Sequence, residues 1–247
     1  GAAVVGLTKT AVENYADYEQ LVGGVETLFK DSADTVMGYA NAAFETAGLS
    51  ANAYMETVTS FSASLLQSLG GDTAEAADKA NMAIVDMSDN ANKMGTDMVS
   101  IQNAYQGFAK QNYTMLDNLK LGYGGTKTEM ERLLKGAQAI SGIEYNIDSY
   151  ADVVEAIHVI HTSMDITGTT AKEAEHTISG SIVSMQGAIK NLITGFGRAD
   201  ADMGKLCKDV IDAFKSVVKN ITPVIQNIVA ALPAVAGALI EAVGELL

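Results

Sequence analysis

The sequence predicts an all-α protein: a multi-helix bundle or elongated helical array of about 8–10 helices, with glycine-rich corners and an apolar C-terminal helical segment. Three observations carry this. Only two prolines occur in 247 residues, against an abundance of Ala, Met, Leu and Glu, which favours helix throughout. Apolar residues recur at spacings of three and four, while alternating β-branched runs are scarce. Finally, Ser, Thr or Asp stands at the start of several periodic runs, with Glu three residues later or Gly just past the end.

Taken in order, residues 10–30 read as a helix with Val12, Tyr15 and Val22 on one face, weakened at Gly23-Gly24. Ser32 or Asp34 opens the next, which stops at Gly48, and Ser50 caps a third. Met55, Val58, Phe61, Leu65 and Leu69 form its apolar stripe, and Gly70-Gly71 ends it. Asp72-Thr73-Ala74-Glu75 opens a fourth helix reaching about Met87, and Met82, Val85, Met94, Met98 and Ile101 recur at spacings close to a helical face. Past a central corner, helices are expected from Thr126 to about Ile140, from Tyr150 to Met164 behind Asp148 or Ser149, and from Thr170 to about Ile193. Gly195-Phe196-Gly197 marks a boundary, giving three regions: a helical core over 1–196, an amphipathic helix over 197–220, and an apolar helical segment over 221–247. Thr222-Pro223 is a natural start for that last helix.

The chain is organised around the stretch from Val85 to Leu134, whose two ends read as helices and whose middle is a corner. Gly122, Gly124 and Gly125 fall within four residues, and each glycine costs about 1 kcal/mol relative to Ala inside a helix. Helix resumes at Thr126, whose hydroxyl and Glu129 fit a capping box. Around the glycines cluster Gln106, Gln111, Asn112, Tyr113, Asn118 and Tyr123. That set is too rich in neutral donors and acceptors for a dry core and too poor in charge for an ordinary surface, so it is expected at a chain–chain contact. The candidate contact residues are Asn112, Tyr113, Asp117, Asn118, Tyr123, Gly124 and Gly125.

Composition excludes several functions. A net charge of −14 repels phosphate backbones, and no polybasic patch is present to hold an anionic membrane, so no nucleic acid is expected as a partner. The single Cys207 excludes an internal disulfide and reads as a small half-buried helix residue. Glu155, His158 and His161 lie three residues apart, yet the outer two fall about 120° apart on a helix, so no one helix presents all three to a metal; a surface place for the histidines is favoured. Gly124-Gly125-Thr126-Lys127-Thr128 lacks the Gly directly before Lys of a phosphate loop, and Asp200-Ala201-Asp202-Met203-Gly204 lacks the Gly and Glu positions of a calcium loop. No catalytic residue, cofactor or metal site is expected, and the methionines read as core. The chain begins at Gly1 with no charge before its first apolar run, so it has no signal-peptide pattern and reads as the middle of a longer protein. The run from Ile221 is long enough to span a bilayer, but Gln226, Asn227 and Pro233 weaken that reading, and packing against protein is preferred.

Three stretches resemble the core region of tail tape measure proteins of long-tailed bacteriophages and prophages. They are Asp89 to Thr96, Ala104 to Tyr113 and Met115 to Gly125, and the likeness extends through Tyr18 to Phe29, Ser60 to Leu66, Ile166 to Ala174 and Thr177 to Ser181. The resemblance implies a virion structural protein without enzymatic activity. Such a protein is made in the bacterial host cytoplasm and lies in the tail lumen. It templates tube assembly and tail length, and leaves ahead of the DNA. Its implied partners are further copies of itself (a trimer), the tail tube protein, tail tip or baseplate proteins and assembly chaperones. A membrane-active module at the host membrane is the alternative, and a metal-dependent wall-degrading enzyme using His158 and His161 a weaker one.

Overall fold

The computed structural model describes the backbone of residues 2–246 and the side chains of residues 5–233. Every regular element among the described residues is helical: α1 (Ala2–Phe29), α2 (Ala33–Thr46), α3 (Ala51–Ser68), α4 (Thr73–Met94), α5 (Met98–Phe108), α6 (Lys127–Ser141), α7 (Tyr150–Ser163), α8 (Thr169–His176), α9 (Ile178–Gly195) and α10 (Met203–Leu246). Short 3-10 turns lie at Lys30–Ser32 and Leu116–Leu119.

The packing is centred on α4, which touches α1, α2, α3, α5, α7 and α8. Ala76, Ala77, Ala80 and Ala83 on its inner face are fully buried, and side chains this small let neighbouring helices approach closely. Around them lie Phe29, Tyr54, Met55, Phe61, Leu65, Ile84, Met87, Ile101, Phe108 and Met130, all but completely buried in one continuous core. A smaller cluster of Phe44, Ala188 and Ala213, with Met185 and Val210 against it, joins α2, α9 and α10. Met55, Met87 and Met130 are core residues as the spacing predicts, whereas Met164 is exposed.

Local capping chemistry sets most helix ends. The Ser50 hydroxyl accepts from Ala53 N, Asp72 accepts from Ala74 N and Glu75 N, and Ser149 accepts from Asp152 N. Gly48, Gly95 and Gly142 adopt the left-handed backbone that closes α2, α4 and α6.

Other ends depart from expectation. α1 runs unbroken through Gly23-Gly24, and a Cβ at Gly24 would lie 3.4 Å from the Thr59 methyl of α3. α4 continues seven residues past Met87, so Met94 and Met98 belong to different helices. The single helix expected over 170–193 is two. The backbone breaks between them at Thr177, which caps α9 by accepting from Gly180 N. Gly180 then lies so near the Glu173 backbone that any Cβ there would collide with it. The boundary expected at Ile221 falls inside α10, which continues through Pro223 and Pro233. Cys207, expected half-buried, is exposed. The part of the expected apolar segment beyond Pro233 lies outside the described side chains, and among the described residues no helix is long and apolar enough to cross a membrane.

Candidate contact corner and the polar network beneath it

The corner occupies residues 109–126, between α5 and α6. α5 ends as Asn112 N donates back to the Gly107 carbonyl at 2.9 Å. The Asn112 side chain then accepts from both Thr114 N and the Thr114 hydroxyl, a local turn that leaves Asn112 itself exposed. Tyr113 points the other way: its ring stacks on Phe108 at 6.1 Å, its hydroxyl donates to the Ile147 carbonyl at 3.0 Å, and it is 4% exposed. It is therefore spent on internal structure and is not free for another chain.

The 3-10 turn buries Leu116 and Leu119, leaving Asp117 exposed and Asn118 half-buried. Lys120 follows in the left-handed region and reaches the Met94 and Gly95 carbonyls at 3.3 Å, covering the open end of α4. Gly125 packs directly on the Thr114 backbone, where a Cβ has no room. Tyr123 lies half-buried beneath Arg132, whose guanidinium sits 4.3 Å from the ring centre. The capping box at Thr126 forms only in half. The Thr126 hydroxyl accepts from Glu129 N, but the Glu129 carboxylate turns to Gly124 N at 2.9 Å and to Arg132. Those hydrogen bonds, Arg132's first, lower the Glu129 carboxyl to about 2. Of the seven candidate residues, Asn112 and Asp117 are exposed, Asn118, Tyr123, Gly124 and Gly125 half-buried, and Tyr113 buried.

Beneath the corner lies a polar network that sequence reasoning missed. Asp86, Asp89 and Asn90 occupy one face of α4 and are fully buried. Asn90 Nδ2 donates to the Leu119 carbonyl at 2.9 Å, tying the network to the corner, and lies 3.1 Å from His161 Nε2. A carbonyl can only accept, so the amide nitrogen is fixed, and His161 Nε2 must accept from it. The neutral His161 proton then sits on Nδ1, which faces Asp86 Oδ1 at 3.7 Å, too long for a hydrogen bond. The Thr96 hydroxyl completes the Asn90 amide by donating to Oδ1 at 2.9 Å.

Asp86 also accepts from His158 Nδ1, at 3.0 Å to each oxygen. Burial alone would raise the Asp86 carboxyl. The His158 hydrogen bond and the nearby His161 outweigh it, so Asp86 lies below its ordinary value. That same hydrogen bond, against a smaller effect of burial, raises His158 above its own. Asp89 faces the start of α8 and accepts from Gly168 N and Thr170 N, at 2.6 and 2.7 Å. Burial is its largest influence and holds its carboxyl above the ordinary value despite those two donors. At the rim, Lys79 of α4 pairs with Glu155 of α7 at 2.7 Å.

The surface place expected for the histidines is therefore corrected. His161 is fully buried and His158 half-buried, both turned to Asp86, because α7 lays its His158/His161 face against the acidic face of α4. Glu155, grouped with them by spacing, is held by Lys79 instead. Among the described residues no group of three His, Cys, Asp or Glu side chains is placed to hold a metal ion. A signal was present in the sequence: Asp86, Asp89 and Asn90 at i, i+3 and i+4 share a helical face, as do His158 and His161. Two polar stripes of opposite character within a helical core call for each other.

The third feature is the emergence of α10 from the body. Its first half packs on α9 through Ala213 and Val217, both buried, and Asn220 donates to the Glu175 and Thr177 carbonyls. Beyond that anchor, every described residue from Thr222 to Pro233 is exposed. Comparison with known proteins returns no matching family model, no similar curated protein and no similar solved structure.

Proposed function

We propose that this chain is a structural segment of a phage tail tape measure protein, acting through axial length and surface contacts rather than catalysis. The observation that carries the reading is α10. It is a helix of 44 residues, about 66 Å at ~1.5 Å per residue, and every described side chain from Thr222 to Pro233 stands clear of the helical body. A protein that sets length needs an element whose extent is proportional to residue count, and a helix running clear of its body is one. The resemblance of the corner and of the stretch from Asp89 to Thr96 to tape measure proteins supports the same reading. So does the net charge of −14, which suits a protein sharing a narrow lumen with DNA it must not bind.

In this reading the exposed corner residues Asn112 and Asp117 face the tail tube, tip or baseplate proteins or an assembly chaperone, and the chain acts in the virion after assembly in the host cytoplasm. The test is electron microscopy of phage particles carrying in-frame deletions or duplications within α10. Tails should shorten or lengthen by about 1.5 Å per residue changed. Viable particles with unaltered tail length would overturn the proposal.

A further inference from the structure

α8 lies on the body without burying a single side chain of its own. It is held at its two ends. Asp89 accepts from Gly168 N and Thr170 N at the start, and at the finish Thr177 donates to the Glu173 carbonyl through both its amide and its hydroxyl. Between α8, the last turns of α4, the end of α2 and the start of α9 lies a cavity of about 360 Å³. That is more than twice the ~150 Å³ of an apolar cavity that admits benzene, and within the range of small-molecule sites.

The cavity stays open for steric reasons. Ala47, Gly48, Ala91, Ala174 and Gly180 form much of its wall, and side chains this short do not fill the space. The helices cannot close further, because they already touch along one side. A Cβ at Gly180 would collide with the Glu173 backbone, and one at Gly48 would meet the Val183 side chain at 2.9 Å. Leu49, Met98 and Val183 add apolar surface, and Glu173 is the only charged residue among the described lining.

One polar group inside is unpaired. Ser88 lines the cavity from α4, is 6% exposed, and its hydroxyl has no hydrogen-bond partner among the described residues. A buried helical serine can return its proton to the preceding turn, as Ser62 does to the Val58 carbonyl, but Ser88 does not. An unpaired buried hydroxyl is destabilising, so a ligand oxygen that pairs with it gains more than the same contact would in water.

We infer that this cavity binds a small neutral amphiphile, with an apolar body larger than a benzene ring and a hydroxyl or carbonyl oxygen that pairs with Ser88. Neutrality follows from the surroundings. An anionic head would meet Glu173 and the buried Asp89 next to Ser88, with no lining cation to offset them. A cationic head at Ser88 would exchange its water shell for one hydroxyl in an apolar wall. Binding is a property of the isolated chain, and its test is separate from tail length.

The experiment is an amide NMR titration of the full 247-residue chain with 1-octanol, octanoate and octylammonium near neutral pH. The expected result for 1-octanol is saturable one-to-one shifts centred on Ser88, Ala91, Gly180 and Val183, with a Kd below about 1 mM. Both charged chains should bind at least ~10-fold more weakly. Ser88→Ala should weaken 1-octanol about two- to tenfold, the worth of one hydrogen bond. It should not lower the melting midpoint of the free chain, because no hydrogen bond within the protein is lost. Ala91→Leu fills the space and should abolish binding with unchanged helical circular dichroism; Ala174→Leu fills it from α8 and replaces the first variant where that one fails to fold. An absence of saturable shifts up to ~3 mM 1-octanol overturns the inference. So do shifts confined to the exposed face of α10, undiminished binding by Ser88→Ala or by a folded filled variant, and equal or tighter binding of either charged chain.

Discussion

The α4–α7 interface and the far half of α10 treat their side chains in opposite ways. In the first, charged and polar groups are buried: Asp86, Asp89, Asn90 and His161 are wholly inside, and most of their polar atoms have a partner from another element. In the second, apolar groups are exposed along a helix that no other part of the described chain covers. The first inversion is resolved within one chain, by pairing opposite chemistries from distant segments. The second is left open by the single chain. A buried polar group and an exposed apolar stripe are both informative against the usual distribution, and the difference lies in whether the compensating group is already present.

The comparison can be broken first at Asp86. Asp86→Ala strips the half-buried His158 of its carboxylate partner and empties the space facing the buried His161, and should cost about 3–5 kcal/mol in chemical denaturation, the range for removing one partner of a buried ion pair. A loss under 1 kcal/mol would mean that the network is not load-sharing as described. Next comes Gly125→Ala, where the new methyl meets the Thr114 backbone and cannot be accommodated by a rotamer change; about 1–3 kcal/mol is expected from the same assay. Asp89→Ala should remove about 1 kcal/mol and act locally, with amide exchange rising at Gly168 to Lys172 before it rises elsewhere. Uniform acceleration across the body would contradict the assignment of Asp89 to the start of α8.

A smaller effect should appear with pH. His158 lies above its ordinary 6.5, so its contribution is fully present below about pH 6.5 and is lost as pH rises through the higher folded value. Asp86 lies below its ordinary 3.8, so its contribution is present above about pH 3.8 and is lost as pH falls through the lower folded value. Asp89, held above 3.8, works against Asp86, withdrawing stability as pH rises from about 3.8 through its own folded value. Denaturation midpoints should therefore decline on the alkaline side of pH 6.5, and His158→Gln should flatten that decline. The smallest change belongs to the outer side of α10: Gln226→Ala should move stability by less than about 0.5 kcal/mol. A large loss there would place hidden packing where the rod is bare.

How much of this was legible in advance depends on how far apart the interacting residues stand. The starts of α3, α4, α7 and α9 are set by a hydroxyl or carboxylate two or three residues from the amide it caps, so for α3, α4 and α7 Ser50, Asp72 and Ser149 could be read directly. Gly48 and Gly142 were equally legible as stops, because left-handed backbone is a property of the residue itself. The glycine corner was visible for the same reason, but its inside and outside were not. Nothing in the local sequence says that Tyr113 reaches Ile147 while Asn112, its neighbour, turns to solvent.

The sequence by itself determined the helical class and most helix ends, because each depends on chemistry within a turn or two of backbone. Only the tertiary structure decided where α8 begins, since its cap is Asp89, about eighty residues away along the chain. The same holds for the two histidines, whose place was settled by the α4 face they meet, not by their own spacing. It holds, too, for the open face of α10: apolar residues in the sequence become an exposed stripe only once the body is seen to use the other side. Short-range hydrogen bonds write themselves into adjacent residues, whereas burial is a property of whatever the fold brings alongside.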